Sequence, residues 1–225
     1  HPVNRRQRQM CIRDSLYRRA KIANDVQADL FISIHCDAHT SNAYGAGTFV
    51  LGLHANERNF KIAQKENSVI FLEDDYQQKY EGFDPNNPES VISLVLMQED
   101  YLDKSIVAAN FIQKSFVDRL KRRDRTVKQA GFLVLRNTFM PSVLVETGFL
   151  TNKSEGSYLN SNKGQNEMAD AISDAANESL GARGMSFYDG ENLKLVANIT
   201  NTATALRVDV PNAGIGTATR LPLGS

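Results

Sequence analysis

The sequence predicts an α/β domain, a mostly parallel sheet flanked by helices on both faces with a short β-rich C-terminal tail. Three observations carry this. Asp29–His35 (DLFISIH) and the run PSVLVE ending at Glu146 are short and apolar, as in strands buried on both faces of a parallel sheet. Segments of helical period separate such runs. Both runs end on an ionisable residue, where open α/β sheets bind their ligands.

In chain order, Leu16, Ala20, Ile22, Ala23 and Val26 roughly follow helical spacing, so 16–26 reads as a helix. Asp29–His35 is the first strand. Thr48–Leu53 reads as a second, entered through the turn Gly45-Ala46-Gly47. Residues 56–68 read as a helix with Asn56 as N-cap and Phe60, Ile62 and Ala63 turned inward. Helical patterns over 69–80 and 90–120 flank the loop EGFDPNNPES, which holds two prolines and a glycine. The longer pattern is expected to break near 99–103. The basic run Arg119–Lys128 reads as a solvated helix end, where cations suit the helix dipole. Phe132–Leu135 and Val143–Thr147 read as strands joined by a turn at Pro141, and 152–156 and 165–180 as helices. Beyond the glycine-containing hinge 181–190, Leu193–Ile199 and Leu206–Val210 alternate with strand period, which suggests a hairpin or the start of a small β module.

Three segments are expected. Residues 1–15 lack an apolar period, and Met10–Ser15 resembles the translated end of a sequencing adapter, so they read as an assembly artefact or a disordered basic arm. Residues 16–181 form the main domain, its front apparently cut off, and 182–225 form a linker and β-hairpin tail. Lysine plus arginine and aspartate plus glutamate both number 26, a balance that argues against a general nucleic-acid binder. No stretch approaches the roughly 20 apolar residues that span a bilayer. Two cysteines, Cys11 and Cys36, make neither a disulfide framework nor a zinc cluster.

Chemistry is expected at His35 and Glu146. An unpaired buried carboxylate costs several kcal/mol or is forced to hold its proton. A strand end with such a group therefore needs either a partner or a function. A lone histidine on an apolar strand is more often structural, but its pairing with Glu146 raises the functional reading. His39 falls in a loop, so its i,i+4 spacing from His35 places no two imidazoles on one face. His54 also reads as a loop residue. Cys36 follows His35 on a strand and must point to the opposite face, which makes it a buried thiol rather than a nucleophile.

These residues lie in a recognisable pattern. Ala28–Ala38 (ADLFISIHCDA) resembles the central zinc-ligand motif of the bacterial N-acetylmuramoyl-L-alanine amidases of the Amidase_3 (AmiC-like) family. Arg19 with Ala23-Asn24 resembles the element preceding it. Gln129–Leu135 and Pro141–Asn152 (PSVLVETGFLTN) resemble the closing catalytic segment. The resemblance covers about residues 16–180, in the family's order.

The resemblance implies a zinc (Zn2+) hydrolase with a six-stranded sheet. Such an enzyme cuts the amide between N-acetylmuramic acid and L-alanine in peptidoglycan, in cell-wall remodelling or daughter-cell separation. It makes His35 a metal ligand and Glu146 the catalytic carboxylate. The family's Gly-His-Gly ligand motif and the glutamate ligand after it have no counterpart here. One of three expected protein ligands remains, the sheet is expected to lack its first strand or strands, and the chain is expected to be an inactive fragment. The acidic segment 57–104 falls where some relatives carry a regulatory helix that occludes the zinc. Glu66, Glu73 and Glu99 are the candidate plug residues, against a plain solvated acidic face. The resemblance further implies a periplasmic or cell-envelope location, with export directed by a segment not present here. It implies peptidoglycan as partner, an activator protein that relieves autoinhibition, no nucleic acid and no transmembrane segment.

Two other readings compete. A non-catalytic peptidoglycan-binding or regulatory module has no need of a carboxylate at a strand end. A polyanion binder using 119–128 is disfavoured by net neutrality and by the lack of interleaved aromatics.

Overall fold

The computed structural model describes residues 15–53, 57–87, 89, 99–181 and 195–199. Ser15 caps the first helix, α1 (Leu16–Asp25), its side chain accepting the Arg18 N–H. Strand β1 (Leu30–Asp37) and β2 (Ala46–Leu51) follow, then α2 (Glu57–Asn67). A 3-10 turn (Ser68–Leu72) and the one-turn helix α3 (Tyr76–Lys79) lead towards the long helix α4 (Glu99–Asp118). Next come β3 (Asp124–Ala130), the short helix α5 (Leu133–Arg136) and β4 (Ser142–Phe149). Helices α6 (Lys153–Leu159) and α7 (Asn162–Gly181) and strand β5 (Leu195–Ile199) complete the described chain.

The strands form one sheet in the order β3-β2-β4-β1-β5. The pairs β1–β4, β1–β5 and β2–β3 are parallel, and β2–β4 is antiparallel. The expected α/β class with a mostly parallel sheet therefore holds. Side-chain alternation on the strands splits the core in two. Ile32, Ile34, Val50, Val143 and Val145 pack on one face against Ala109, Ile112 and Phe116 of α4 and Met168 and Ile172 of α7. Phe31, Phe49, Leu51 and Leu144 pack on the other against Leu16, Ala23, Ala63, Ile70 and Leu135, from α1, α2, the 3-10 turn and α5.

The expected second strand Thr48–Leu53 begins two residues earlier, at Ala46, so that Gly47 lies inside it. Two elements depart from expectation more sharply. Phe132–Leu135, expected as a strand, contributes a helical turn instead. Its four residues are all buried, and a short apolar run buried all round looks alike in either conformation. The strand beside β2 is β3, drawn from the basic run expected to end a helix. It is an edge strand with a mostly half-exposed, polar face, so apolar period gave it no signal. Residues 69–80 are not one helix either. The acidic stretch Glu73-Asp74-Asp75 interrupts it, with Asp75 in the left-handed region at φ 57°.

The first arm of the tail adds to the sheet as a parallel neighbour of β1, Leu30 to Ile34 opposite Leu195 to Ile199. The second arm, 206–210, lies outside the described residues, as do 1–14, most of 88–98, the expected N-cap Asn56 and the hinge 182–190. Among the described residues no helix is long and apolar enough to cross a membrane.

Candidate active site

Strands β1 and β4 run parallel with His35 directly opposite Glu146. Partners in register share a face, and here it is the face carrying Phe31 and Leu144. Both side chains are buried. A third group arrives from α2. Its helical phase buries Asn59, Ala63 and Asn67, and Asn67 anchors the helix by donating to the Gly131 carbonyl and accepting the Leu133 N–H. Glu66 then meets His35, its Oε2 2.9 Å from Nδ1.

His35, Glu66 and Glu146 thus offer one nitrogen and two carboxylate oxygens, all within 4.8 Å of one another. Ser33 Oγ lies 2.9 Å from His35 Nε2. Nδ1 thus faces the Glu66 carboxylate and Nε2 the Ser33 hydroxyl.

The two carboxylates are tuned apart. Burial pushes the Glu146 carboxyl well above the ordinary range, and the charges of Glu66 and Asp37 add to this. Its Oε2 is buried with no hydrogen-bond partner. Burial pushes Glu66 up as well, but His35, Lys65 and Arg19 outweigh it and hold the group below its ordinary value. A buried orphan oxygen beside an imidazole and an ionised carboxylate is a donor set that fits a divalent cation.

A second cluster fixes the loops around these groups. Glu155, buried on α6, accepts the Gly45 and Phe149 N–H groups at 2.8 Å each and Arg122 Nη2 at 2.5 Å. Asn152 caps α6 by accepting from the Ser154 and Glu155 N–H groups. Between them Gly148 sits at φ +153°, where an added Cβ would lie 2.8 Å from Arg122 Nη2 and 2.9 Å from Glu155 Oε2. Glycine alone fits there.

The structure brings together His35, Glu146 and Glu66, but not the other expected groups. Glu73 Oε1 instead accepts the Tyr80 hydroxyl at 2.8 Å and the Leu16 N–H at 3.3 Å. Glu99 begins α4, and its side chain lies outside the described residues. His39 is exposed, bonded through Nδ1 to Ser41, and His54 lies outside the described residues. Cys36 is buried on the opposite face with its Sγ 3.1 Å from Thr147 Oγ1. Sequence reading missed Glu155 and Arg122. The first hid in a capped helix start and the second in a run that looked uniformly solvated.

The profile of the N-acetylmuramoyl-L-alanine amidase family matches residues 4–178. The chain belongs to this family. Among curated relatives, the amidase AmiA of Salmonella typhimurium is 34% identical over 160 residues, 70% of this chain and 54% of the relative. The amidase LytC of Bacillus subtilis is 31% identical over 166 residues, 71% of this chain and 23% of the relative. The chain therefore spans about half the length of AmiA. Among solved structures, an N-acetylmuramoyl-L-alanine amidase from Clostridium difficile superposes with a TM-score of 0.52 at 26% identity, covering 76% of this chain and 67% of that one.

Proposed function

We propose that the domain hydrolyses the amide between N-acetylmuramic acid and L-alanine in peptidoglycan, with zinc as its metal. The observation that carries this is the buried cluster His35–Glu66–Glu146, in which Glu146 keeps an unpartnered oxygen. His35 and Glu66 would hold the ion, and zinc there supplies a lowered water pKa and a polarised carbonyl. Glu146 is the proton carrier. Its site favours the neutral acid, so a proton taken from the attacking water is held at its carboxyl and returned to the leaving amine. Ser33 and the β1–β4 register keep the imidazole aimed at the same point.

Glu66 also acts as an internal plug. A carboxylate at 2.9 Å from His35 stands where water and the substrate carbonyl must enter. Among the described residues the cluster holds a single imidazole, short of the usual set for catalytic zinc. This chain is accordingly expected to bind zinc weakly and to turn over little by itself. The relatives' role supports an envelope or periplasmic setting with peptidoglycan as partner, and an activator protein is the natural means of withdrawing Glu66.

The test is calorimetric zinc titration of the chain, His35→Ala and Glu146→Gln, alongside muropeptide hydrolysis by a full-length family enzyme carrying the matching changes. Zinc uptake lost in His35→Ala, and hydrolysis lost in both, is expected. Uptake indifferent to His35 would overturn the assignment. A binding module without catalysis would show retained muropeptide binding and no hydrolysis in any full-length form.

A further inference from the structure

The face that carries His35 and Glu146 continues across the sheet towards β3. Gly47 on β2 is the register partner of Glu146, on the side away from His35. A Cβ at Gly47 would lie 3.3 Å from Arg125 Cβ and 3.4 Å from Lys128 Nζ. The lack of a side chain at Gly47 therefore lets the Lys128 ammonium lie over the β2 backbone beside Glu146. Lys128 Nζ lies 5.1 Å from the Phe49 ring centre and Arg125 Cζ 4.8 Å from that of Phe149, so both head groups are held by aromatic faces.

These cations have no acid of their own. Elsewhere Arg119 pairs with Asp174, Arg122 with Glu155 and Arg136 with Glu81. Among the described residues Arg125 donates to the Tyr44 carbonyl and Lys128 to the Arg125 and Thr126 carbonyls, and neither forms an ion pair. Arg58, exposed at the start of α2, also forms none. Its charge disfavours the charged forms of both Arg125 and Lys128. Of the neighbouring acids, Glu146 favours the charged form of Lys128 without an ion pair to it, and the others are engaged. Asp124 accepts from Gln113 and the Thr126 N–H, Asp37 pairs with Lys65, and Glu155 holds Arg122. Arg125 and Lys128, half-buried and mutually repelling, thus stand beside the candidate site without an ion pair.

We propose that Arg125 and Lys128 form a carboxylate subsite beside the candidate active site, filled by a free carboxylate of the substrate's peptide stem. The identity of the carboxylate's bearer rests on the amidase reading above; the subsite itself does not. Lys128 Nζ lies over Gly47, one strand spacing from Glu146, roughly 5 Å across the sheet. An extended peptide covers about 3.3–3.6 Å per residue, so a carboxylate borne one or two residues beyond the L-alanine reaches the cluster when the scissile amide is at Glu146.

The experiment titrates the full chain with N-acetylmuramoyl-L-alanyl-D-glutamate and with the same compound having both glutamate carboxyls amidated. Wild-type protein is expected to bind the free acid about five- to tenfold more tightly, and Arg125→Gln and Lys128→Gln to abolish that preference. Lys114→Gln on α4, an exposed lysine of the opposite layer, is expected to leave it intact and controls for net charge. Equal wild-type affinity for the two probes, or no binding of the acid, overturns the proposal without recourse to any variant. Zinc uptake measured on the same sample separates the two readings: a chain that prefers the acid yet takes up no zinc keeps the subsite and loses the metal.

Discussion

His35 on β1 and Glu146 on β4 are direct register partners, 111 residues apart in sequence and side by side on one buried face. Glu66 closes the group from α2 at 2.9 Å from the imidazole. The arrangement gathers one imidazole and two carboxylates in one place, and that has measurable consequences.

Glu146→Gln is expected to stabilise the metal-free protein at neutral pH by about 1–3 kcal/mol, the scale of relieving a buried unpaired polar group. The folded protein holds the Glu146 proton more tightly than the unfolded chain does. Its contribution is therefore fully present below the unfolded value near 4.5 and is lost as pH rises through the window above it. Urea denaturation from pH 4 to 8 should show the two proteins converging at the acid end. A constant gap would show that Glu146 does not titrate in that window.

Glu66→Ala is expected to split two quantities. Zinc affinity of this chain should fall about tenfold or more, since a ligand carboxylate is gone. In the full-length enzyme, turnover at saturating zinc should rise, because the entry point is cleared. Adding a chelator should lower the melting temperature of the zinc-loaded wild type and leave that of His35→Ala unchanged. A fall in turnover at saturating zinc would make Glu66 a plain ligand rather than a plug.

Glu155→Ala should cost about 3–5 kcal/mol in chemical denaturation, because it strands Arg122 and two backbone donors together. Combining it with Arg122→Met should cost less than the sum of the two, as the stranded cation disappears. Additive losses would mean that the pair is not coupled.

Lys128 offers a pH test of the cationic rim. Burial first, then Arg125 and Arg58, lower its pKa from 10.5 to about 8. The unfolded chain thus binds the proton more readily, and stability from this group rises with pH between about 8 and 10.5. Wild-type protein should gain stability relative to Lys128→Met over that window. Parallel pH profiles would place the ammonium in open water.

The sequence alone determined the α/β class and the two central strands, and it singled out residues 35 and 146 at their ends. Buried parallel strands are continuous apolar runs, and a polar residue ending one stands out against them. The opposite orientation of Cys36 followed from strand alternation alone. The edge strand β3 did not show, because an edge is half-solvated and needs little apolar pattern. The apolar Phe132–Leu135 misled because burial on all sides erases periodicity. Only the tertiary structure decided which of the acidic candidates reaches His35. Glu66 and Glu73 share one charged segment, yet the anchoring of Asn67 turns one towards the imidazole while Tyr80 and the start of α1 capture the other. The cationic rim was equally hidden. Gly47 and Lys128 are 81 residues apart, and they meet only because β2 pairs with β3, a long-range contact that no local pattern encodes.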